Sequence, residues 1–355
     1  MATERQSFFK RRWKLILNIV TLVALGALVW AIRDQLGQTF ENLFKVNAWL
    51  LLLMIPIQAL NYDAQTRLYS GLFGLVGQKL GYKFLFRSSL ELNFVNHVFP
   101  SGGVTGISYF GLRMRDGHDL TAAKATVVQL LKLVLLFLSF EVLIVLGVFM
   151  LAVEGRMNSL VLMLAGSIST LLVVGTAGFV FIIGKKERIS SFFSYVTRAI
   201  NRLIQVVRPK HPETINTAKA RKLFEDLHDN YALISRDWRS LKRPLLWAFM
   251  ANFWEVMMVY VVYLAFGDPV NFGAVILAYA VANFAGLVSV LPGGVGVYEG
   301  LMTLVLSATG VPSRLSLPVT VMYRVLSTLI QIPPGYYYYH KTLQSSKVPA
   351  QEQAG

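Results

Sequence analysis

Two stretches decide the fold, Phe99-Pro100-Ser101-Gly102-Gly103 and Leu291-Pro292-Gly293-Gly294, each set in the middle of a long apolar segment, 84–116 and 271–310. A helix interior does not tolerate Pro followed by two Gly, because a backbone hydrogen bond is lost and chain entropy rises. Freed backbone groups cannot face lipid. At membrane depth such a break persists only where protein buries it or where it lines a wet cavity. Each segment is therefore predicted to be a re-entrant pair of half-helices, and the two are predicted to line a shared central site.

The surroundings make the membrane assignment. Of 355 residues, 55% are hydrophobic, and they come in blocks rather than alternating with charge. Hydrocarbon about 30 Å thick needs roughly 20 apolar residues per helical span. Six full spans are predicted, near 14–32, 47–66, 121–151, 156–184, 244–266 and 314–338, giving an all-α polytopic membrane protein with two opposed re-entrant hairpins in a loose inverted repeat. The formal charge is +15, but the 34 Lys and Arg lie mostly between apolar blocks. That placement sets orientation and favours anionic lipid surfaces over nucleic acid. The chain has no cysteine, which excludes disulfides, thiolate catalysis and Cys-based metal centres. No Walker-type loop is present, so ATP is not a direct energy source.

A basic stretch before the first apolar run, with no cleavage site after it, reads as a retained first span with a cytoplasmic N-terminus. The outer loops then hold only Arg33, Lys45, Arg156 and Arg314. Lys132 and Arg324 lie inside spans, and the other 28 of the 34 cations fall on the cytoplasmic side. This is a strong positive-inside asymmetry, and it places both termini in the cytoplasm of a bacterial or archaeal cell. The chain divides into a first membrane half (1–184), a basic cytoplasmic linker with an amphipathic pattern (185–243), a second membrane half (244–340) and a disordered tail (341–355). Tyr336 to Tyr339 are predicted to be an interfacial aromatic anchor.

The breaks recur with their charges. From Pro100 to Pro292 is 192 residues, as is the interval from Lys132 to Arg324. Three full crossings separate the copies, an odd number, so the repeat is inverted; broken helices in inverted repeats are a common architecture of secondary transporters. A lone charge at the bilayer centre costs at least ~2.5 kcal/mol on insertion scales. Lys132 and Arg324 therefore need partners, drawn from Asp63, Glu91, Glu141, Glu255 and Glu299, or a wet cavity. Polar stripes mark the cavity-facing sides of helices: Gln58, Asn61 and Gln65; Asn93, Asn96 and His97; and Ser327, Thr328 and Gln331 beside Arg324. His97 in such a stripe is read as a hydrogen-bonding residue. No metal or cofactor is expected. Glycines at the breaks (Gly102, Gly103, Gly293, Gly294), half-helix N-termini and the two cations together make a site for an anion. Arg324, Lys132, Glu299, Asn96, Glu255 and Gln331 complete the candidate substrate-binding set.

The two break motifs, with Gly106, Gly296, Val297, Tyr298, Glu299 and Gly300 and the downstream Arg324 and Gly335, resemble the lysylphosphatidylglycerol synthase transmembrane-region family over nearly the whole chain. That family includes the flippase half of the multiple peptide resistance factor, so the resemblance implies a lipid translocase. The short tail after the last span leaves no room for a synthase domain, and the resemblance then implies no aminoacylating activity. The expected function is a flippase or scramblase for an anionic phospholipid or polyprenyl-linked lipid, with downhill or ion-coupled movement and Glu299 or Glu255 as proton carriers. Two alternatives stand beside it. One is a lipid-modifying transferase using Asp63, Asp116 or Asp119. The other is a scaffold that docks cell-envelope biosynthesis enzymes through the basic linker. Beyond membrane lipids, a homo-oligomer and such enzymes are the partners left open.

Overall fold

The computed structural model describes residues 33–98, 109–111, 113, 114, 122–185, 238–288 and 296–345, with single positions at 23, 26, 30, 188, 191 and 195. These residues form helices and no strand. The helices are α1 (Arg33–Leu43), α2 (Met54–Leu75), α3 (Tyr82–Val98), α4 (Ala122–Val153), α5 (Ser159–Ile183), α6 (Lys242–Ala265), α7 (Phe272–Val288), α8 (Val297–Ala308) and α9 (Ser313–Ser345). Among the described residues, four helices are long and apolar enough to cross a membrane; they lie in α4, α5, α6 and α9. The protein is an all-α polytopic membrane protein. The first predicted span (14–32), both Pro/Gly-Gly breaks with Gly102, Gly103, Gly293 and Gly294, most of the basic linker and most of the tail lie outside the described residues.

The duplication is visible in the element bounds. Tyr82 and Phe272, which begin α3 and α7, are 190 positions apart. The turn before each helix repeats at the same interval: Gly77 (φ 74°) and Gly267 (φ 80°) both take the left-handed conformation. Only glycine enters that region without a steric penalty, and it lets the chain fold back over the last turn of a helix. After Gly77 the amide of Gln78 bonds the carbonyl of Phe73 at 2.9 Å. Helix α8 is 12 residues. At 1.5 Å per residue it rises roughly 18 Å, short of the ~30 Å hydrocarbon thickness.

The copies interlock rather than sit side by side. Helices α2 and α6, which open the two copies, pack on each other; α3 of the first copy lies against α9 of the second, and α7 of the second lies against α4 of the first. Both crossed pairs depend on glycine. A Cβ at Gly273 on α7 would stand 2.7 Å from the Met150 Cβ and 2.9 Å from the Gly147 carbonyl oxygen on α4. One at Gly335 on α9 would stand 2.6 Å from the Phe94 Cβ and 2.7 Å from the Leu90 carbonyl oxygen on α3. Within a membrane, helices have no hydrophobic drive toward each other, so close approach through small residues supplies the packing.

Two expectations are corrected. The second predicted span, 47–66, follows the apolar run, but the helix is Met54–Leu75. A break at Leu52 and Leu53 precedes it, and it continues through a polar stripe to the Gly77 turn. Tyr336 to Tyr339 are not a common interfacial anchor. Successive residues on a helix point about 100° apart, so only Tyr337 is exposed, while Tyr336 and Tyr339 pack on Phe94 of α3 and Tyr338 lies under the Arg87 guanidinium. Helix α9 also runs unbroken through Pro333 and Pro334, which gives up two backbone hydrogen bonds just where Gly335 meets α3.

Replacing Gly273 by Ala is expected to force α4 and α7 apart at the cost of roughly 1–3 kcal/mol. Gly166 on α5 has open space around it, and its replacement by Ala is expected to be neutral or slightly stabilising; thermal unfolding in detergent compares the two.

Candidate functional site

At the junction of the copies lies a cavity of about 340 Å³ lined from α2, α3, α4, α6, α7, α8 and α9. That is the liquid volume of roughly ten waters, or room for one compact headgroup. Asn252 and Glu255 on α6 help to line it. By helical rise Glu255 is roughly 15–20 Å from either end of its helix, so the cavity sits at mid-depth.

Lys132 on α4 and Arg324 on α9, one cation from each copy, both reach this cavity. They are neutralised differently. The Arg324 guanidinium donates to Glu299 Oε1 at 2.5 Å and lies 5.0 Å from the centre of the Tyr298 ring. The other carboxylate oxygen, Oε2, accepts the Gly296 N–H at 2.7 Å. Gly296, at φ 86°, immediately precedes α8. Glu299 thus fills the N-terminus of that half-helix, where partial positive charge favours an anion, and holds Arg324 in place. It is buried behind the cavity wall rather than lining it. The Lys132 ammonium donates to the Tyr69 hydroxyl at 2.9 Å and stands 4.5 Å from the centre of that ring. Among the described residues no carboxylate forms an ion pair with it.

The remaining acids of the candidate set are placed elsewhere. Glu91 pairs with Arg113 (2.9 Å) and accepts from the Tyr109 hydroxyl (2.7 Å) and the Thr342 hydroxyl (2.8 Å), the last of which ties it to α9. Asp63, midway along α2, pairs with Arg67 one turn on and accepts from the Tyr82 hydroxyl. Glu141 on α4 has a buried oxygen, Oε2, with no hydrogen-bond partner among the described residues, and it does not line the cavity. Glu255 does line it, and its Oε2 accepts from the Tyr323 hydroxyl at 2.9 Å.

Two residues of the polar stripes, Gln58 and Asn96, do not line the cavity; Gln58 is buried, bonded to Asn61 and Gln331. Asn61, Gln65, Asn93, His97, Ser327, Thr328 and Gln331 all line the cavity. Asn96 does not; it is exposed on another face of α3, because Asn93 and His97, four residues apart, share the inward side. The reading of sequence missed Tyr69, Asn252, Asn283, Tyr298 and Tyr323. Tyr298 and Tyr323 adjoin singled-out residues, whereas Tyr69 meets Lys132 across 63 positions with no sequence signal.

Glu299→Gln keeps an acceptor for Gly296 and removes the charge facing Arg324. Leaving one member of a buried pair unmatched typically costs about 3–5 kcal/mol. The Glu299→Gln protein is expected to lose thermal stability on that scale, and Glu299→Gln with Arg324→Gln is expected to recover part of it.

Comparison with known proteins agrees with this architecture. The chain is 22% identical to a UPF0104 membrane protein of Methanothermobacter thermautotrophicus over 315 residues, covering 88% of this chain and 90% of that one. A UPF0104 membrane protein of Methanocaldococcus jannaschii is 21% identical over 330 residues, covering 91% and 94%. One from Pyrococcus horikoshii is 23% identical over 179 residues, covering 50% and 52%. The family described as the lysylphosphatidylglycerol synthase TM region matches residues 16–335, the breaks, the cavity and both cations included, and the chain belongs to that family.

Proposed function

We propose that this protein is a flippase or scramblase that moves an anionic, phosphate-bearing lipid across the cytoplasmic membrane. The observation that carries the reading is the convergence of one cation from each inverted copy, Lys132 and Arg324, on a mid-depth cavity between the copies. A charged headgroup crossing a bilayer needs a polar path and a counter-charge at the centre, while its acyl chains remain in lipid. Arg324, held by Glu299 beside Tyr298, brings a guanidinium charge to the cavity, the group best suited to a phosphate. Lys132, held by Tyr69, offers a second point charge. A site built between inverted repeats can open to either leaflet by rocking one copy against the other.

The lipid moves downhill or with a coupled ion, and both termini face the cytoplasm, as the distribution of Lys and Arg favours. Of the two candidate proton carriers, Glu255 suits the role better. It lines the cavity with one oxygen bonded to Tyr323, whereas both oxygens of Glu299 are engaged by Gly296 and Arg324.

Proteoliposomes carrying a tail-labelled anionic phospholipid test the reading. The wild-type protein is expected to speed exchange between leaflets over protein-free vesicles. Arg324→Ala and Lys132→Met are each expected to slow it roughly tenfold or more, the scale of a charge-assisted hydrogen bond. Arg324→Lys is expected to keep more activity than Arg324→Ala. An Arg324→Ala protein that moves lipid at the wild-type rate overturns the assigned role.

A further inference from the structure

The amide side chains that line the cavity have a polarity of their own, set by backbone carbonyls. The Ala251 carbonyl can only accept, so Asn61 must turn its amide nitrogen to it, at 2.8 Å. Asn61 Oδ1 is then an acceptor and receives the amide N–H groups of Gln65 at 2.7 Å and Gln58 at 3.3 Å. Gln58 Oε1 in turn receives the amide of Gln331 at 3.1 Å. On α6 the same logic holds: the Ser139 hydroxyl donates to the Ala248 carbonyl at 3.5 Å, so its oxygen accepts from the Asn252 amide.

Each of these amide nitrogens gives one of its two N–H groups to a protein acceptor. Left over at the cavity are Gln65 Oε1, Gln331 Oε1 and Asn252 Oδ1, none with a donor among the described residues, together with Glu255 Oε1. The wall from α2, α6 and α9 therefore presents amide oxygens, each with a second N–H beside it, a mixed pattern that hydroxyls match because each both donates and accepts. Complementarity divides the ligand in two: its phosphate belongs at Lys132 and Arg324, and the group esterified to that phosphate must bring several hydrogen-bond donors. The acceptors are mostly neutral amides and come from three separate helices, which suits hydroxyls spread around a ring. A single ammonium would concentrate its donors at one point.

We infer that the transported headgroup is a polyhydroxylated phosphate ester, a cyclic polyol or a hexose, read by the amide oxygens of Gln65, Asn252 and Gln331. The inference rests on the flippase reading and names the substrate class for that same site. Its ring would stack on the tyrosines that share the cavity, Tyr279, Tyr298 and Tyr323. Two lipid backbones carry such a headgroup, a glycerophospholipid and a polyprenyl phosphate.

The test uses the full-length protein in proteoliposomes with tail-labelled phosphatidylinositol, polyprenyl-phosphoryl hexose, phosphatidic acid and phosphatidylethanolamine. At least one hydroxylated lipid is expected to cross roughly tenfold or more faster than phosphatidic acid, the scale of one or two uncharged hydrogen bonds. The faster of the two hydroxylated arms identifies the lipid backbone. Gln65→Leu removes one free acceptor at the end of the amide chain and is expected to narrow the ratio severalfold. Phosphatidic acid crossing as fast as both hydroxylated lipids, or phosphatidylethanolamine crossing fastest, overturns the inference while the flippase reading stands. Protein-independent rates for all four lipids overturn both.

Discussion

Hydrocarbon leaves no charge and no open backbone group unanswered, and that constraint organises this molecule. Arg324 can sit at the centre of a long apolar helix because Glu299 meets it from the preceding segment, and Glu299 can be there because the amide of Gly296 and the start of α8 take its second oxygen. The pair therefore joins three things at one point: the start of a half-helix, the charge on the following span and the wall of the cavity. Lys132 meets the same constraint by another route, through a tyrosine hydroxyl and ring. A cation held this way keeps its full charge, whereas one facing a carboxylate is largely neutralised. The two copies thus contribute unequal electrostatics to a nearly symmetric frame.

That frame is rigid where the copies cross. Each broken arm packs on the other copy's long helix, with glycine at the contact, so neither copy could complete the cavity alone. The amide network runs across the same seam, since Gln58 and Asn61 on α2 are bonded to Gln331 on α9 and to the backbone of α6. Helix α5 contrasts with this. Its span is only 17% buried inside the protein and its glycines touch nothing, so it presents its surface to lipid at the periphery.

Much of this was legible in sequence. A Pro/Gly-Gly break in an apolar segment admits few explanations, and equal spacing from break to cation marks a duplication, because both depend on local chemistry repeated along the chain. Asn61, Gln65, Ser327, Thr328 and Gln331 were readable as cavity residues for the same reason: helical spacing alone puts them on one face. The helix limits were less readable. Hydropathy tracks apolar composition, but α2 ends where Gly77 turns the chain, beyond the apolar run, and α9 passes through a Pro pair that local rules would make a stop.

By itself the sequence determined the membrane class, the equal spacing of break and cation in the two halves and which residue types would need partners. Only the tertiary structure decided the partners. Candidate acids were interchangeable on paper, yet Glu91 belongs to Arg113, Asp63 to Arg67 and Glu299 to Arg324, while Lys132 rests on Tyr69. The direction of each amide was likewise invisible in sequence, because it is set by distant backbone carbonyls that only the packing of α2 against α6 brings within reach. Periodicity fixes the face on which a side chain lies; what it meets there depends on which helices cross, and that is settled by contacts between residues nearly two hundred positions apart.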